Sequence, residues 1–191
     1  MRVISGTAKS RKLKAVPGDT TRPITDRVKE ALFDIIGDNV VGARFLDLFA
    51  GTAGVGIEAL SRGAREAVFV ENGRHALDTV RFNLEATKLG ARARVVRTSV
   101  FDFLQREPQP FEYIYVAPPQ YQELWIATLR LIDEQPGWLA RDGEIVVQIH
   151  PREYRPIELQ HFEPIDERRY GSTLLVFYAY RESDTDTCAG A

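Results

Sequence analysis

The chain has little of what builds disulfides or metal sites. It contains one cysteine, Cys188, within a polar C-terminal stretch, so a disulfide within the chain and a thiolate zinc site are excluded. Its three histidines, His75, His150 and His161, do not show the spacing of metal ligands. We therefore expect a protein without a bound metal.

Long apolar runs are also missing. No stretch approaches the roughly 20 apolar residues of a membrane-spanning helix, and the N-terminus lacks the apolar centre of a signal peptide. These absences favour a cytosolic protein with no membrane attachment. At 191 residues, the chain has the usual size of one domain, and we take a monomer as the default.

Charge is unevenly distributed along the chain. Residues 1–30 hold eight basic and three acidic residues, a net +5, which leaves −7 for the remainder of a chain whose net charge is −2. A basic arm on an acidic body favours a polyanionic partner, although a solvated charged surface would show the same pattern. The residues of this arm that would contact such a partner are Lys9, Arg11, Lys12, Lys14 and Arg22.

From residue 25 onward, short apolar segments alternate with helical ones. Helical spacing predicts a helix at 25–36 and another that begins near Arg74 and is ended by Gly90. Seven strand-like segments, the last two joined by a loop at 170–172, predict a doubly wound, mostly parallel α/β sheet with an antiparallel C-terminal strand. We divide the chain into a basic N-terminal extension at 1–24, expected to form a hairpin, one domain at 25–181, and a disordered tail at 182–191.

Three segments are expected to meet at the carboxyl ends of these strands, where doubly wound sheets bind ligands. Asp47 ends the first strand and precedes a glycine turn with the pattern G-x-x-G-x-G at 51–56. Glu71 ends the second strand, where a carboxylate can accept the two hydroxyls of a ribose. Ser99, Val100 and Phe101 follow the third strand and would flank an adenine.

A glycine turn alone does not distinguish a dinucleotide from another adenosine-bearing ligand. Asp47 would repel a pyrophosphate but suits the ammonium of a methionine moiety, which favours S-adenosylmethionine over NAD. A dinucleotide-dependent oxidoreductase would also need a glycine pair directly after the first strand and a catalytic Tyr–Lys or His pair. Neither is apparent in the sequence.

The fourth strand ends in the sequence VAPPQY, residues 116–121. Two prolines cannot continue a strand, so their corner leaves carbonyl oxygens free. If this corner lies opposite the glycine turn, those oxygens could accept hydrogen bonds from a base amine during methyl transfer. The candidate catalytic residues are Ala117, Pro118, Pro119, Gln120 and Tyr121, with Tyr121 as the ring that stacks on the base.

Five segments resemble the RsmD family: RVISGTAKSRKLKAVPG, TRPITDRVKEALFDII, LDLFAGTAGVGIEALSRGA, FVEN and the Pro-Pro corner. The resemblance covers about residues 1–181. It implies a Rossmann-like class I methyltransferase that uses S-adenosylmethionine and modifies N2 of a guanine in ribosomal RNA, either free or within the assembling small subunit. The cofactor-binding residues that it implies are Thr25, Arg27, Asp47, Phe49, Gly51, Thr52, Ala53, Glu71, Asn72, Ser99 and Val100. Of these, Thr25 and Arg27 would approach the methionine carboxylate.

Two positions depart from the family's pattern. A glycine is usual where Ala53 stands, and we expect Gly54 to restore the turn. The corner usually reads Asp or Asn, Pro, Pro, then Tyr or Phe, whereas Ala117 and Gln120 stand here. Three hypotheses follow: transfer with backbone acceptors and Gln120 as a substitute, transfer to a different atom or substrate, or RNA and cofactor binding without turnover.

Overall fold

The computed structural model describes residues 1–18 and 24–182. Its α-helices are α1 (Asp26–Ile36), α2 (Gly54–Arg62), α3 (Arg74–Thr87), α4 (Val100–Leu104) and α5 (Leu124–Glu134). Its strands are β1 (Arg44–Leu48), β2 (Glu66–Glu71), β3 (Ala93–Arg97), β4 (Phe111–Val116), β5 (Leu139–Ile149), β6 (Phe162–Tyr170) and β7 (Thr173–Tyr180). No helix in these two ranges is both long enough and apolar enough to span a membrane.

The strands form one seven-stranded sheet in the order β3-β2-β1-β4-β5-β7-β6. Strands β1 to β5 are parallel, β7 is antiparallel to β5, and β6 is antiparallel to β7. The predicted fold is thereby confirmed. Because the order reverses between β1 and β4, the crevice beyond their carboxyl ends is the expected ligand site.

Alternate residues of the strands build two cores, one on each face of the sheet. Phe45 packs with apolar residues of α1, α2 and α3 on one face, whereas Leu46 and Leu48 pack with those of α4 and α5 on the other. Asp47 follows the same alternation and points to the face of Phe45. The carboxylate is therefore placed at the end of a fully packed strand.

The ends of two helices show where local sequence decides the structure and where it does not. Thr25 caps α1, since its hydroxyl accepts a hydrogen bond from the N–H of Val28 at 3.3 Å. The prediction that Gly90 ends α3 is wrong, because Lys88 already adopts a left-handed conformation with φ 61°. Leu89 then turns into the core, and its N–H bonds the carbonyl of Leu84 at 3.1 Å. Burial of Leu89 thus ends the helix early.

Residues 1–14 run as a short antiparallel loop over the face that carries α1, α2 and α3. An isolated bridge pairs Arg2 with Lys12, and the N–H of Val3 bonds the carbonyl of Arg11 at 2.9 Å. Gly6 touches the backbone of α2 so closely that a Cβ there would lie 1.8 Å from the carbonyl oxygen of Ser61. Residue 22 of the arm and residues 183–191 of the expected tail lie outside the described residues.

Candidate active site

A cavity of about 1010 Å³ lies at the carboxyl ends of β1, β2, β4 and β5. The glycine turn forms one wall and the Pro-Pro corner forms the opposite wall. Most of the residues predicted from the sequence border it: Asp47, Phe49, Gly51, Thr52, Glu71, Asn72 and residues 117–121. The glycine turn, predicted to bind the cofactor, and the Pro-Pro corner, predicted to bind the substrate, therefore border the same cavity.

Asp47 is a buried carboxylate at the floor of this cavity, only 1% exposed. Its Oδ2 accepts a hydrogen bond from the N–H of Gly56 at 3.0 Å. Burial raises its pKa to about 8, the charge of Glu71 acts in the same direction, and the bond from Gly56 opposes them. A cation in the cavity would relieve this unfavourable burial of negative charge.

The turn between β1 and α2 holds two residues that are not glycine in the left-handed region: Phe49 at φ 62° and Ala53 at φ 61°. Such conformations are costly and are often kept at functional sites. The expectation that Gly54 restores the turn is wrong, because Ala53 itself takes the positive φ and is fully buried beside the cavity. Gly54 has another role, since a Cβ there would lie 2.7 Å from the sulfur of Met1.

Glu71 joins the two turns that border the cavity. Its Oε2 accepts from the N–H of Gly51 at 2.9 Å, and its Oε1 accepts from the N–H groups of Asn72 and Gly73 at 2.9 and 2.8 Å. A carboxylate has about four acceptor sites, so these three bonds fix its orientation and leave capacity for a hydroxyl. The geometry is suited to a ribose.

At the Pro-Pro corner, the chain leaves β4 and turns along the mouth of the cavity. Tyr121 has φ 62°, and its N–H donates a hydrogen bond to Oε1 of Glu153. Its side chain is 66% exposed, and its ring centroid lies 5.8 Å from that of His150, which also borders the cavity. An exposed aromatic ring at a cavity mouth is available to stack on a base.

Among the residues of the cavity wall that sequence reasoning missed are Tyr115 and Gln148. The hydroxyl of Tyr115 donates a hydrogen bond to Oε1 of Gln148. Burial, and after it the charge of Asp47, raise the pKa of Tyr115 well above its ordinary value, so the phenol keeps its proton. The alternation of residues along β4 could have placed Tyr115, but the pairing with β5 could not be read from the sequence.

Asn83 on α3 is a further residue that sequence reasoning missed. It is fully buried, and its Nδ2 donates to the carbonyl oxygens of Thr52 and Lys14 at 2.9 and 3.1 Å. Its Oδ1 accepts from the N–H of Lys14 at 2.8 Å. The N-terminal extension is thus tied to the glycine turn, and residues 15–18 border the cavity together with Ile24. A polar residue on the apolar stripe of a helix was the available signal.

Five of the residues that the resemblance assigned to the cofactor do not border the cavity, and one of them is the fully buried Ala53. Arg27 is exposed beside a second pocket of about 460 Å³, which Arg2 and Lys9 also border. Thr25 is engaged in capping α1. Ser99 caps α4, with its hydroxyl accepting from the N–H of Asp102 at 3.0 Å, and Val100 is buried behind it. Their cofactor roles stay predictions.

The basic residues of the extension, Lys9, Arg11, Lys12 and Lys14, are all exposed. The ammonium of Lys14 lies 5.1 Å from the ring centroid of Phe82, and Arg11 donates to the carbonyl oxygen of Ala86 at 3.4 Å. Lys9 and Lys12 make no side-chain bond with a described residue. Among residues 1–18 and 24–182, no cluster of three or more His, Cys, Asp or Glu could hold a metal ion.

Comparison with known proteins identifies the family. A family model described as conserved hypothetical protein 95 matches residues 1–179. YlbH of Bacillus subtilis is 42% identical over 95% of this chain and all of its own length. Ribosomal RNA small subunit methyltransferase D of Escherichia coli is 34% identical over 97% of this chain and 94% of its own.

The fold agrees with this relationship. The solved structure of yhhF from Escherichia coli superposes with a TM-score of 0.84 at 33% identity and covers 94% of this chain and 97% of its own. The seven-stranded α/β sheet of this chain is that of class I S-adenosylmethionine-dependent methyltransferases. The chain belongs to the RsmD family of methyltransferases.

Proposed function

We propose that this chain transfers a methyl group from S-adenosylmethionine to the exocyclic N2 of a guanine in small-subunit ribosomal RNA. The observation that carries the proposal is one cavity that two carboxylates and the Pro-Pro corner border. Asp47 is buried, and Glu71 is oriented by backbone N–H groups. The name of the Escherichia coli relative supports the choice of substrate. Such an enzyme would act in the cytoplasm, and we propose that it acts as a monomer.

The residues present fit this cofactor. Asp47 is a buried carboxylate that pairs with no cation among the described residues, and an ammonium is the group that would satisfy it. Glu71 is held by three backbone N–H groups with acceptor capacity left for a ribose hydroxyl. Gly51 and Thr52 also border the cavity, so their backbone would lie close to a cofactor bound between Asp47 and Glu71.

S-adenosylmethionine supplies a methyl group on a sulfonium sulfur, and the amine lone pair forms the N–C bond as the S–C bond breaks. The protein must hold the flat amine in line and stabilise the positive charge that develops on nitrogen, which afterwards releases a proton to water. The carbonyl oxygens of Ala117 and Pro118 are the backbone acceptors at the corner. Tyr121 would stack on the base after it has left its helix.

A second candidate function is RNA and cofactor binding without turnover. The alanine at position 117 favours it, since no side-chain acceptor stands at the start of the corner. Loss of one positioned polar group typically costs about 3–4 kcal/mol, some 100- to 1000-fold in rate, which slows an enzyme without abolishing it. We therefore place the active enzyme first.

Incubation with labelled S-adenosylmethionine and small ribosomal particles or RNA from cells that lack the activity separates these candidates. We expect label in RNA, with mass spectrometry identifying N2-methylguanine. Label on another atom would point to an altered substrate. Cofactor binding without any transfer would support the non-catalytic module and contradict the proposal.

Lys9 and Lys12 provide a test of the RNA-binding arm. We expect the double variant Lys9→Gln, Lys12→Gln to bind RNA more weakly at low salt, because each lysine that neutralises a phosphate releases counterions. The slope of log affinity against log salt should fall by about 0.7 for each single-strand phosphate that the variant no longer neutralises. Stability should change little, since both side chains are exposed.

Arg94 and Arg130 supply the matched control for this variant. Both are exposed, and they belong to β3 and α5, away from the extension. The double variant Arg94→Gln, Arg130→Gln removes the same charge and should leave the salt slope nearly unchanged. Equal loss of affinity in both variants would mean that RNA responds to net charge and not to the arm.

A further inference from the structure

One hydrogen-bonded pair on the cavity wall has no role in the mechanism described so far. Tyr115 lies on β4 beside Asp47 of β1, and it pairs in the parallel ladder with Val146 of β5. The last pair of that ladder is Val116 with Val147, so Gln148 lies one residue further along β5, level with Ala117. Neighbouring strands are about 4.8 Å apart.

The side chains at these positions share one face of the sheet. Residues two apart on a strand point the same way, so Ala117 points with Tyr115, and Gln148 points with Val146. Tyr115, Ala117 and Gln148 all border the cavity. The amide of Gln148 therefore lies next to the position where the corner has only a methyl group.

Tyr115 fixes the amide of Gln148. Its buried hydroxyl donates to Oε1, and a carbonyl oxygen that accepts one hydrogen bond keeps a second lone pair. An oriented amide oxygen is therefore available to an amine.

Gln120, the substitute acceptor suggested by the sequence, is less well held. It is exposed, and its side chain makes no hydrogen bond with any residue in the described ranges. Ordering a free glutamine side chain costs entropy that an already oriented amide does not lose again. Orientation therefore favours Gln148 over Gln120.

We propose that Gln148, oriented by Tyr115, accepts a hydrogen bond from the base amine during methyl transfer and so supplies the side-chain acceptor that Ala117 lacks. This inference rests on the proposed function. The carbonyl of Ala117 or Pro118 would accept from the second hydrogen of the amine. Gln148 is then a catalytic residue, and Tyr115 is a positioning residue.

The rate of a single turnover tests this role, with cofactor and RNA both saturating. Gln148→Met keeps the length of the side chain and removes both polar atoms, so we expect a rate loss of roughly 100-fold, the effect typical of one oriented polar group. Tyr115→Phe removes only the orienting bond and should slow transfer about 10-fold, in line with one neutral hydrogen bond. Ala117→Asn added to Gln148→Met should recover part of the rate.

RNA binding without cofactor gives a second readout. Once the modified guanine is mapped, a fragment with inosine at that position lacks only the amine. Wild type should prefer the guanine fragment by roughly 5- to 10-fold, and Gln148→Met should lose much of that preference because one of the two acceptors of the amine is gone. Gln105→Met, at an exposed position after α4, is the matched control and should behave as wild type.

The outcomes separate this inference from the proposed function. Transfer by Gln148→Met within about threefold of the wild-type rate, with the guanine preference intact, would overturn the inference alone. Absence of transfer by the wild type would overturn both. Loss of rate together with an equal loss of cofactor affinity would assign Gln148 to the cofactor site and overturn its role at the amine.

Discussion

Asp47→Asn is expected to abolish measurable methyl transfer at neutral pH while raising the melting temperature of the unliganded protein. The loss of activity follows from the loss of the only charge that we assign to the cofactor's ammonium. Removing one partner of a buried charge pair costs about 3–5 kcal/mol, so cofactor affinity should fall at least 100-fold. The buried amide still offers an oxygen to the N–H of Gly56.

The gain in stability follows from the pKa of Asp47. Folding raises that pKa from 3.8 to about 8, so between these values the native state binds a proton that the unfolded chain has lost. Stability of the unliganded wild type therefore falls as pH rises from about 4 to about 8. Asp47→Asn lacks this pH-dependent loss of stability. Its advantage in free energy of unfolding over the wild type should therefore grow across that range and stay constant at higher pH.

Thermal melts at pH 5 and pH 8 and titration calorimetry with S-adenosylhomocysteine measure both effects. Asp34→Asn, on the exposed face of α1, is the matched control and should show neither. An Asp47→Asn variant that binds the ligand as wild type does would remove Asp47 from the cofactor site. An advantage of Asp47→Asn over the wild type that is the same at pH 5 and pH 8 would contradict the coupling between burial and protonation.

Glu58→Gln should cause the largest loss of stability among the polar substitutions that we consider. Glu58 is fully buried, lies 3.2 Å from the ammonium of Lys29, and accepts from Arg62 at 2.9 Å. It also accepts from the N–H groups of Ile4 and Ser5 at 2.8 and 2.9 Å, so it holds the start of the extension. Neutralising it leaves the ammonium of Lys29 buried with its hydrogen bond to the carbonyl oxygen of Arg2 at 2.6 Å but without its carboxylate partner.

Breaking such a buried pair costs about 3–5 kcal/mol. For a chain of this size, that corresponds to a fall in melting temperature of roughly 6–20 °C. Burial lowers the pKa of Lys29, and Glu58 opposes this shift, so the variant should lower that pKa further. The stability deficit of Glu58→Gln should therefore shrink as the pH rises towards the pKa of an unfolded lysine. In that range the side chain of Lys29 in the folded state has already lost its proton and carries no charge to compensate.

Denaturant unfolding at pH 7 and pH 9.5 checks both the size and the sign of this effect. Glu85→Gln, an exposed position on α3, is the matched control. Adding Lys29→Met to Glu58→Gln should recover part of the loss, because it removes the unpaired ammonium while the amide oxygen of Gln can still accept from the N–H groups of the extension. A deficit below 1 kcal/mol, or one that grows with pH, would contradict this account of the cluster.

Much of the site could be predicted because its residues lie at strand ends and turns. Asp47 and Glu71 directly follow apolar segments, and the carboxyl ends of parallel strands meet at one edge. Strand periodicity and turn residues thus determined both positions. The Pro-Pro corner was equally local, since proline cannot continue a ladder.

Other features depended on contacts between distant parts of the chain. Gln148 reaches the cavity through the pairing of β4 with β5, which no local pattern encodes. Lys88 ends α3 because Leu89 finds a place in the core, which overrides the glycine two residues beyond Lys88. Arg27 lies beside Arg2 and Lys9 because its position on α1 faces the N-terminal extension, and the sequence of α1 alone does not encode that packing.

The central claim is that a methyl donor bound against the β1–α2 turn faces the corner at Pro118 and Pro119. A crystal structure with S-adenosylhomocysteine tests it most directly. We predict its amine at Asp47, its ribose hydroxyls at Glu71 and its sulfur open towards the carbonyl oxygens of the corner. Density for the ligand in another pocket, or a sulfur shielded from the corner by protein side chains, would contradict the account.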